Sequence, residues 1–445
     1  MPYLGNTPTT QSFTSGTDYF NGTGSQTVFT LSRSVASVND IDVVVNAVVQ
    51  RPNDAYTVSG TTLTFTSAPS SGTQNVYVRY LSTTTTALSV SDSSVTYNML
   101  SSDVKQDLGI SFKNRIINGA MVIDQRNAGA EVNPAVSGDY YTDRWRVVSS
   151  VASKFKIGQN AGSVTPPAGF TNYLGATSLS AYTVGAGETY NIQQRIEGYN
   201  IADLGWGTAN AKTVTLSFWV RSSLTGTFGG SLKNSAADRS YPFSYTISSA
   251  NTWEYKTITI AGDTSGTWLT TNGIGISVFF SLGSGSTVSG TAGAWASANY
   301  NSATGATSVV GTNGATFYIT GVQLEVGSTA TSFDYRPYGT ELALCQRYYQ
   351  TYVNDTSEFG TSAYSFAYNT AGSSGISTHS LNCTMRVVPT VTRIGTWSLA
   401  NVSAQPTLVS AGNGGIRITY TITATGSGIV NPASAGVGWS CSAEL

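Results

Sequence analysis

Nucleophilic catalysis of the serine-hydrolase kind needs a histidine beside its nucleophile, and this chain of 445 residues holds one histidine, His379. No Gly-x-Ser-x-Gly elbow accompanies it, so no Ser-His-Asp site is expected and His379 reads as a loop residue. A single histidine cannot build a multi-histidine metal centre, and neither a His-Glu-x-x-His run nor a calcium-loop spacing occurs. No metal site and no cofactor are predicted. Glycoside hydrolysis asks only for two carboxylates about 5 to 10 Å apart, and Asp139, Asp143, Glu188, Glu197 and Asp238 are candidates. Their competing role is structural, as ion-pair partners of Arg144, Arg195 or Arg239 or as turn-stabilising acids. That role is the one we adopt, so no catalytic residue and no enzymatic activity are expected.

Sugar binding makes a smaller demand: a flat aromatic surface for the apolar face of a pyranose, with hydroxyls or amides nearby to satisfy its OH groups. Eight Trp and 25 Tyr supply the rings. Most of them must fill cores, and Trp145, Trp206 and Trp219 are assigned to internal packing.

The remaining composition narrows the partners. Only 10% of residues are charged, against about 25% in an ordinary globular protein. Lys+Arg (22) and Asp+Glu (23) leave a formal charge of -1, which removes the attraction that drives most nucleic-acid binding. With 40% hydrophobic and 11% aromatic residues in short alternating runs, the chain is expected to fold. Cys345, Cys383 and Cys441 show no CxxC spacing and read as small buried apolar residues. The opening MPYLGNTPTT lacks a basic or apolar leader region, and no stretch approaches about 18 uninterrupted apolar residues. Neither signal-peptide export nor membrane insertion is expected.

These functional residues need elements to position them, and the predicted class is all-β: multidomain antiparallel β-sandwiches with a central jelly roll and a short helical linker. Residues 1–85 form a first β module, from runs such as TVFTLS, IDVVVNAVV and NVYVRYL separated by turn residues. Residues 86–112 are a linker with a short helix on which Leu100, Val104 and Leu108 share one face. A helix this short is marginal alone, so that stripe must pack against a neighbouring module or against the same helix in other subunits. Residues 113–340 make one large sandwich in which Val214, Leu216, Phe218 and Val220 alternate on a buried face. Met121 and Ile123 point inward there, Asp124 and Arg126 outward, and Glu325 pairs with an arginine. The LALCQRYYQ segment, with Leu342, Cys345 and Tyr349 on one face, reads as a hinge, and residues 341–445 form a third β module.

Three segments carry a family likeness. YFNGTGSQTVFTLSRSVASVNDIDVVVNAVVQ with AYTVSGTTLTFTSAPSSGTQNVYVRYL is the first; KNRIINGAMVIDQRN with YYTDRW is the second. The third is TFYITGVQLEVGSTATSFDYRPYGTELALCQRYYQ, echoed by MRVVPTV. In this order they resemble modular tail-fibre and tail-adhesin proteins of tailed bacteriophages, particularly marine and cyanobacterial ones. The resemblance implies a virion protein of the tail that attaches the particle to host-surface polysaccharide or lipopolysaccharide. Its amino-terminal module would dock onto other phage tail proteins, and its middle module would resemble a carbohydrate-binding jelly roll. Many such proteins are homotrimers, which would place Leu100, Val104 and Leu108 in an oligomerisation helix. The family sets its last module distally, so Tyr364, Tyr368, Trp397 and Trp439 are the expected receptor-binding residues. The alternative is a purely architectural virion protein, such as a capsid decoration or tail accessory. A polysaccharide depolymerase fits less well, because no period of 20 to 30 residues marks a parallel β-helix.

Overall fold

The alternation at Val214, Leu216, Phe218 and Val220 is realised in the strand Val214–Ser222, where all four side chains are 0% exposed. The computed structural model describes residues 16–81, 112–353, 364–365, 370–432, 434 and 436–445. The chain divides into two units, Met1–Met99 and Leu100–Leu445. Leu100, Val104 and Leu108 lie outside the described residues.

In the first unit, a four-stranded antiparallel sheet runs Thr17–Gly22, Gly72–Tyr80, Ile41–Val45, Val48–Val49, and the strands Val28–Val35 and Tyr56–Phe65 pair separately. Period-two patterning puts Phe29, Leu31, Val43, Leu63, Val76 and Val78 into one core. Asp18 links the two sheets, accepting from Ser32 N at 2.7 Å, Ser32 Oγ at 2.6 Å and Tyr80 OH at 2.5 Å. Burial works to raise its carboxyl, but the bonds from Ser32 and Tyr80 outweigh it and hold the group below its ordinary value.

The second unit is dominated by a jelly-roll-type sandwich. Its six-stranded sheet runs Ser240–Ile247, Gly226–Lys233, Ile274–Ser284, Thr189–Glu197, Trp145–Ser149, Ser137–Thr142. The facing five-stranded sheet runs Glu254–Ile260, Val214–Ser222, Thr316–Val326, Leu174–Ser178, Phe155–Gln159. Side chains from both inner faces interdigitate in one core, where Phe218 and Phe280 meet edge to face at 5.0 Å between centroids. The polar phase is not uniformly wet: Thr215 and Ser217 of Val214–Ser222 are 1% and 2% exposed, because loops fold over the outer face of that sheet.

The motif segments meet at a buried polar junction beside the sandwich. Asn118, in the left-handed region at φ 58°, donates Nδ2 to Ile123 O at 2.8 Å and to Asp143 O at 2.9 Å, and its Oδ1 accepts from Ile123 N at 3.0 Å. Trp145 Nε1 donates to Asn118 O at 2.9 Å. The backbone N of Asn118 donates to Glu341, which lies on the helix Tyr338–Gln346. Met121 and Ile123 are buried as predicted. Arg126 is not an outward group: it donates to Glu444 at 2.6 Å and lies over the Tyr349 ring at 3.7 Å. Arg144 also pairs with Glu444, and its Cζ lies 3.5 Å from the Tyr348 ring centroid. The segment read as a hinge is therefore a tie, with Cys345 and Tyr348 at 0% exposure against Ile117 and Ile123. Its apolar face found a permanent partner.

Three small sheets follow. Tyr349–Val353, Gly438–Ser442 and Thr390–Ile394 form the first; Tyr364–Ser365, Ile429–Asn431 and Ser398–Ala400 the second; Ser374–Ser380, Gly415–Thr421 and Thr407–Ser410 the third. His379 lies in the strand Ser374–Ser380 rather than a loop, paired with Ile416, with its ring 5.2 Å from Trp439.

All three cysteines are free, Cys345 and Cys441 buried and Cys383 partly exposed. Burial pushes all three thiols up, Cys441 to about 12 and Cys345 well above its ordinary value. Since the thiolate is the reactive form, a disulfide-exchange reagent at pH 8 is expected to modify only Cys383 in the native protein, slowly, and three thiols after denaturation. Rapid native labelling of two thiols would contradict this packing.

Candidate functional site

An aromatic groove lies on the outer face of the five-stranded sheet. Trp219 occupies the polar phase of Val214–Ser222, opposite Tyr255 on the neighbouring edge strand and Thr320 on the other side. The Trp219 and Tyr255 rings are 5.4 Å apart, and Tyr255 is 43% exposed. Residues 328–335 fold over the sheet and form the opposite wall. Thr331 N and Oγ1 donate to Glu325 at 2.8 and 2.6 Å, and Asp334 N donates to Gln323 Oε1 at 2.8 Å. Glu325 is thus satisfied by Thr331 and Gln323, not by the expected arginine.

This fold-over carries Phe333 and Tyr335 against Phe170, at 5.2 and 5.5 Å. Tyr335, 51% exposed, donates its hydroxyl to Gly169 O at 2.7 Å. Burial pushes the phenols of Tyr335 and Tyr255 up, so both keep their hydroxyl protons at neutral pH. Gly321, at φ 61°, lies beneath: a Cβ there would sit 2.6 Å from Phe170 and 3.2 Å from Trp219. Glycine is required both by the left-handed backbone and by the two rings. The groove encloses about 570 Å³ and is lined additionally by Ser217, Thr331 and Ser332. A smaller cavity of about 250 Å³ adjoins it across Phe170, Phe333 and Tyr335, bounded by Asn114, Asp334, Arg336 and Glu341.

The residues expected to bind a receptor are placed differently. Trp397 and Trp439 are 2% and 3% exposed and belong to the terminal core, so neither indole offers a face to solvent. Gln405 holds Trp397 on both sides, accepting from its N and donating to its O at 2.8 Å each. Tyr364 pairs through its backbone with Val430, and Tyr368 lies outside the described residues. Trp145 and Trp206 are core residues as expected, at 0% and 6% exposure. Trp219 is the exception among the three.

The five acids also have positions. Glu197 accepts from Arg347 at 2.6 and 3.0 Å and from Tyr348 OH at 2.7 Å. Burial opposes its charge, but these bonds prevail and lower its carboxyl below the ordinary value. Asp143 accepts from Gln125 N and Nε2 at 2.6 and 2.7 Å, and burial pushes it up to about 6. Glu188 accepts from Gly185 N and Tyr182 OH, and Asp238 from Asn234 Nδ2. Asp139 is exposed on the edge strand Ser137–Thr142. None of the five lines the groove or the cavity. The anticipated arginines take other partners: Arg144 pairs with Glu444, and Arg239 holds Asp263 with two 2.7 Å bonds.

Sequence reading missed the groove because four of its rings come from loops or an edge strand. The available signal was Trp219, an aromatic in the polar phase of an otherwise regular strand.

The fold and groove define an all-β protein of antiparallel sandwiches with an aromatic-walled surface site. No family model matches the chain, and no curated protein matches it in sequence. Among solved structures, the enzymatically active domain of bacteriophage CBA120 tailspike protein 4 is 12% identical with a TM-score of 0.25, over 48% of this chain and 22% of that one. The match thus spans less than a quarter of the tailspike chain. A putative sugar binding protein from Bacteroides thetaiotaomicron is 12% identical, TM-score 0.28, over 48% of this chain and 100% of that one. The family 11 carbohydrate-binding module from Clostridium thermocellum, in complex with a mixed-linked tetrasaccharide, is 13% identical, TM-score 0.22, over 44% and 99%.

Proposed function

We propose that this chain binds host-surface glycan through the Trp219–Tyr255 groove and serves as an attachment protein of a phage tail. The observation that carries the reading is the half-buried Trp219 beside an exposed Tyr255, facing Tyr335 across a groove of about 570 Å³ whose remaining lining includes Ser217, Thr331 and Ser332. Rings take the apolar face of a pyranose, and hydroxyls exchange hydrogen bonds with its OH groups. The virion assignment is supported by the motif resemblance. In a homotrimer carried in several copies, weak contacts of this kind would be multiplied by high local concentration into firm attachment. The site is read as binding rather than cleaving: the groove is lined by no carboxylate among the described residues, and the two acids of the adjoining cavity are engaged within the protein, Asp334 by Asn114 N and Glu341 by Asn118 N and Arg336.

Trp219→Ala is expected to weaken binding to a cognate oligosaccharide by at least about tenfold, which corresponds to about 1.4 kcal/mol, with unchanged circular dichroism. Tyr255→Ala should act in the same direction. The measurement is titration calorimetry on a saccharide found by array screening, with an assay for released reducing ends expected to stay at background. Antibodies against the chain should label the tail of the particle, and soluble protein should compete with phage adsorption. Unaltered binding in both variants would move the glycan site away from the groove, and tail labelling with no competition for adsorption would leave an architectural role in its place.

A further inference from the structure

Resting on the glycan reading of the groove, we infer that the site engages the end of a neutral saccharide chain, with the terminal ring in the cavity beside Arg336 and the following units against Trp219 and Tyr255. Cavity and groove share Phe170, Phe333 and Tyr335, so a chain lying along the groove meets the cavity at one end. The cavity is the more enclosed of the two. At about 250 Å³ it falls below the roughly 300–1,000 Å³ typical of sites for drug-sized ligands, which suits a single ring. The groove, at about 570 Å³, has room for several.

Charge decides the class of sugar. Arg336 lines the cavity with its side chain 4% exposed, and two carboxylates face it, Asp334 at 3.8 Å and Glu341 at 3.3 Å. Acids therefore outnumber the guanidinium, and a uronate, sialate or phosphate would enter a site that is already negative on balance. The guanidinium is held in place by Ile116 O at 3.2 Å and by Asn114 O, and a neutral sugar, with hydroxyls or an acetamido group, adds no charge to this balance.

The test uses the full chain. Gluco-, galacto- and manno-oligosaccharides of increasing length are titrated alongside oligogalacturonides of the same lengths. Soluble polymers of the preferred neutral sugar are then examined by sedimentation for the number of proteins bound per chain. The expected results are a preference of at least about tenfold for neutral over acidic oligomers and one protein per chain whatever its length. Ala120→Leu, which fills the cavity, should weaken binding about tenfold, and Thr171→Phe on the exposed cavity rim provides a second variant if the first misfolds. Several proteins per chain rising with length, a preference for the acidic series, or wild-type binding by both folded cavity variants would overturn end recognition. If Trp219→Ala still abolished binding in those cases, the glycan groove itself would stand. Indifference to Trp219→Ala, or no saccharide bound at all, would overturn both.

Discussion

Glu444→Ala should destabilise the Leu100–Leu445 unit by about 3–5 kcal/mol, the range for removing one partner of a buried ion pair. Glu444 holds Arg126 at 2.6 Å and also Arg144, whose side chain is 1% exposed. Burial opposes the charge on Arg144; Glu444 outweighs it and holds the guanidinium further above its ordinary range. Without that carboxylate, Arg144 keeps Arg195 O and the rings of Tyr348 and Tyr140 as partners among the described residues, none of which carries a full negative charge, and a buried cation is left without compensation. Since whole domains are stable by only about 5–15 kcal/mol, the loss is a large fraction of the total. Denaturant unfolding should show a lowered midpoint, and limited proteolysis should cut the 341–445 region sooner. A midpoint unchanged within about 0.5 kcal/mol would show that Glu444 does not compensate Arg144. Salt should matter little, because the pair is shielded from ions.

Asn118→Leu is the second large effect. The side chain makes three bonds, to Ile123 O, Ile123 N and Asp143 O. Each buried group left unsatisfied costs about 1–3 kcal/mol, and a branched apolar residue at φ 58° adds roughly 1–2 kcal/mol of backbone strain. A loss of at least about 3 kcal/mol is expected. Asn118→Gly separates the two causes, because it relieves the backbone and still removes the bonds. Equal stability of Asn118→Leu and wild type would show that the junction is not what holds these segments together.

Both predictions fall on segments whose meaning was only half legible in the sequence. Period-two alternation located the strand and the inward face correctly at Val214 to Val220, because burial of one sheet face is a local property; Met121 and Ile123 are buried as expected but in irregular backbone, Met121 at φ 57°. Partner choice is not local. Arg144 and Glu444 are 300 residues apart, and nothing in their spacing links them. The terminal tryptophans are buried for a related reason: the distal position that the resemblance implies for their module says nothing about which of its rings its own small core consumes. The same limit hid the groove, whose floor is a strand and whose far wall is a returning loop.

The pairing of Thr316–Val326 with Val214–Ser222 slips by one residue: Ser217 faces Gln323, Trp219 faces Thr320, and both Gly321 and Val322 oppose Phe218. Core-facing positions accordingly change from Phe317 and Ile319 to Val322 and Leu324. Losing one residue from an ordinary strand turns every later side chain over; here a chain shortened by Gly321 would regain unbroken pairing, with Val322 opposite Phe218. The extra residue lies directly under Phe170 and Trp219. Descendants of this sequence therefore have a place where length itself can vary, reshaping the floor of the groove while the scaffold keeps its ancestry.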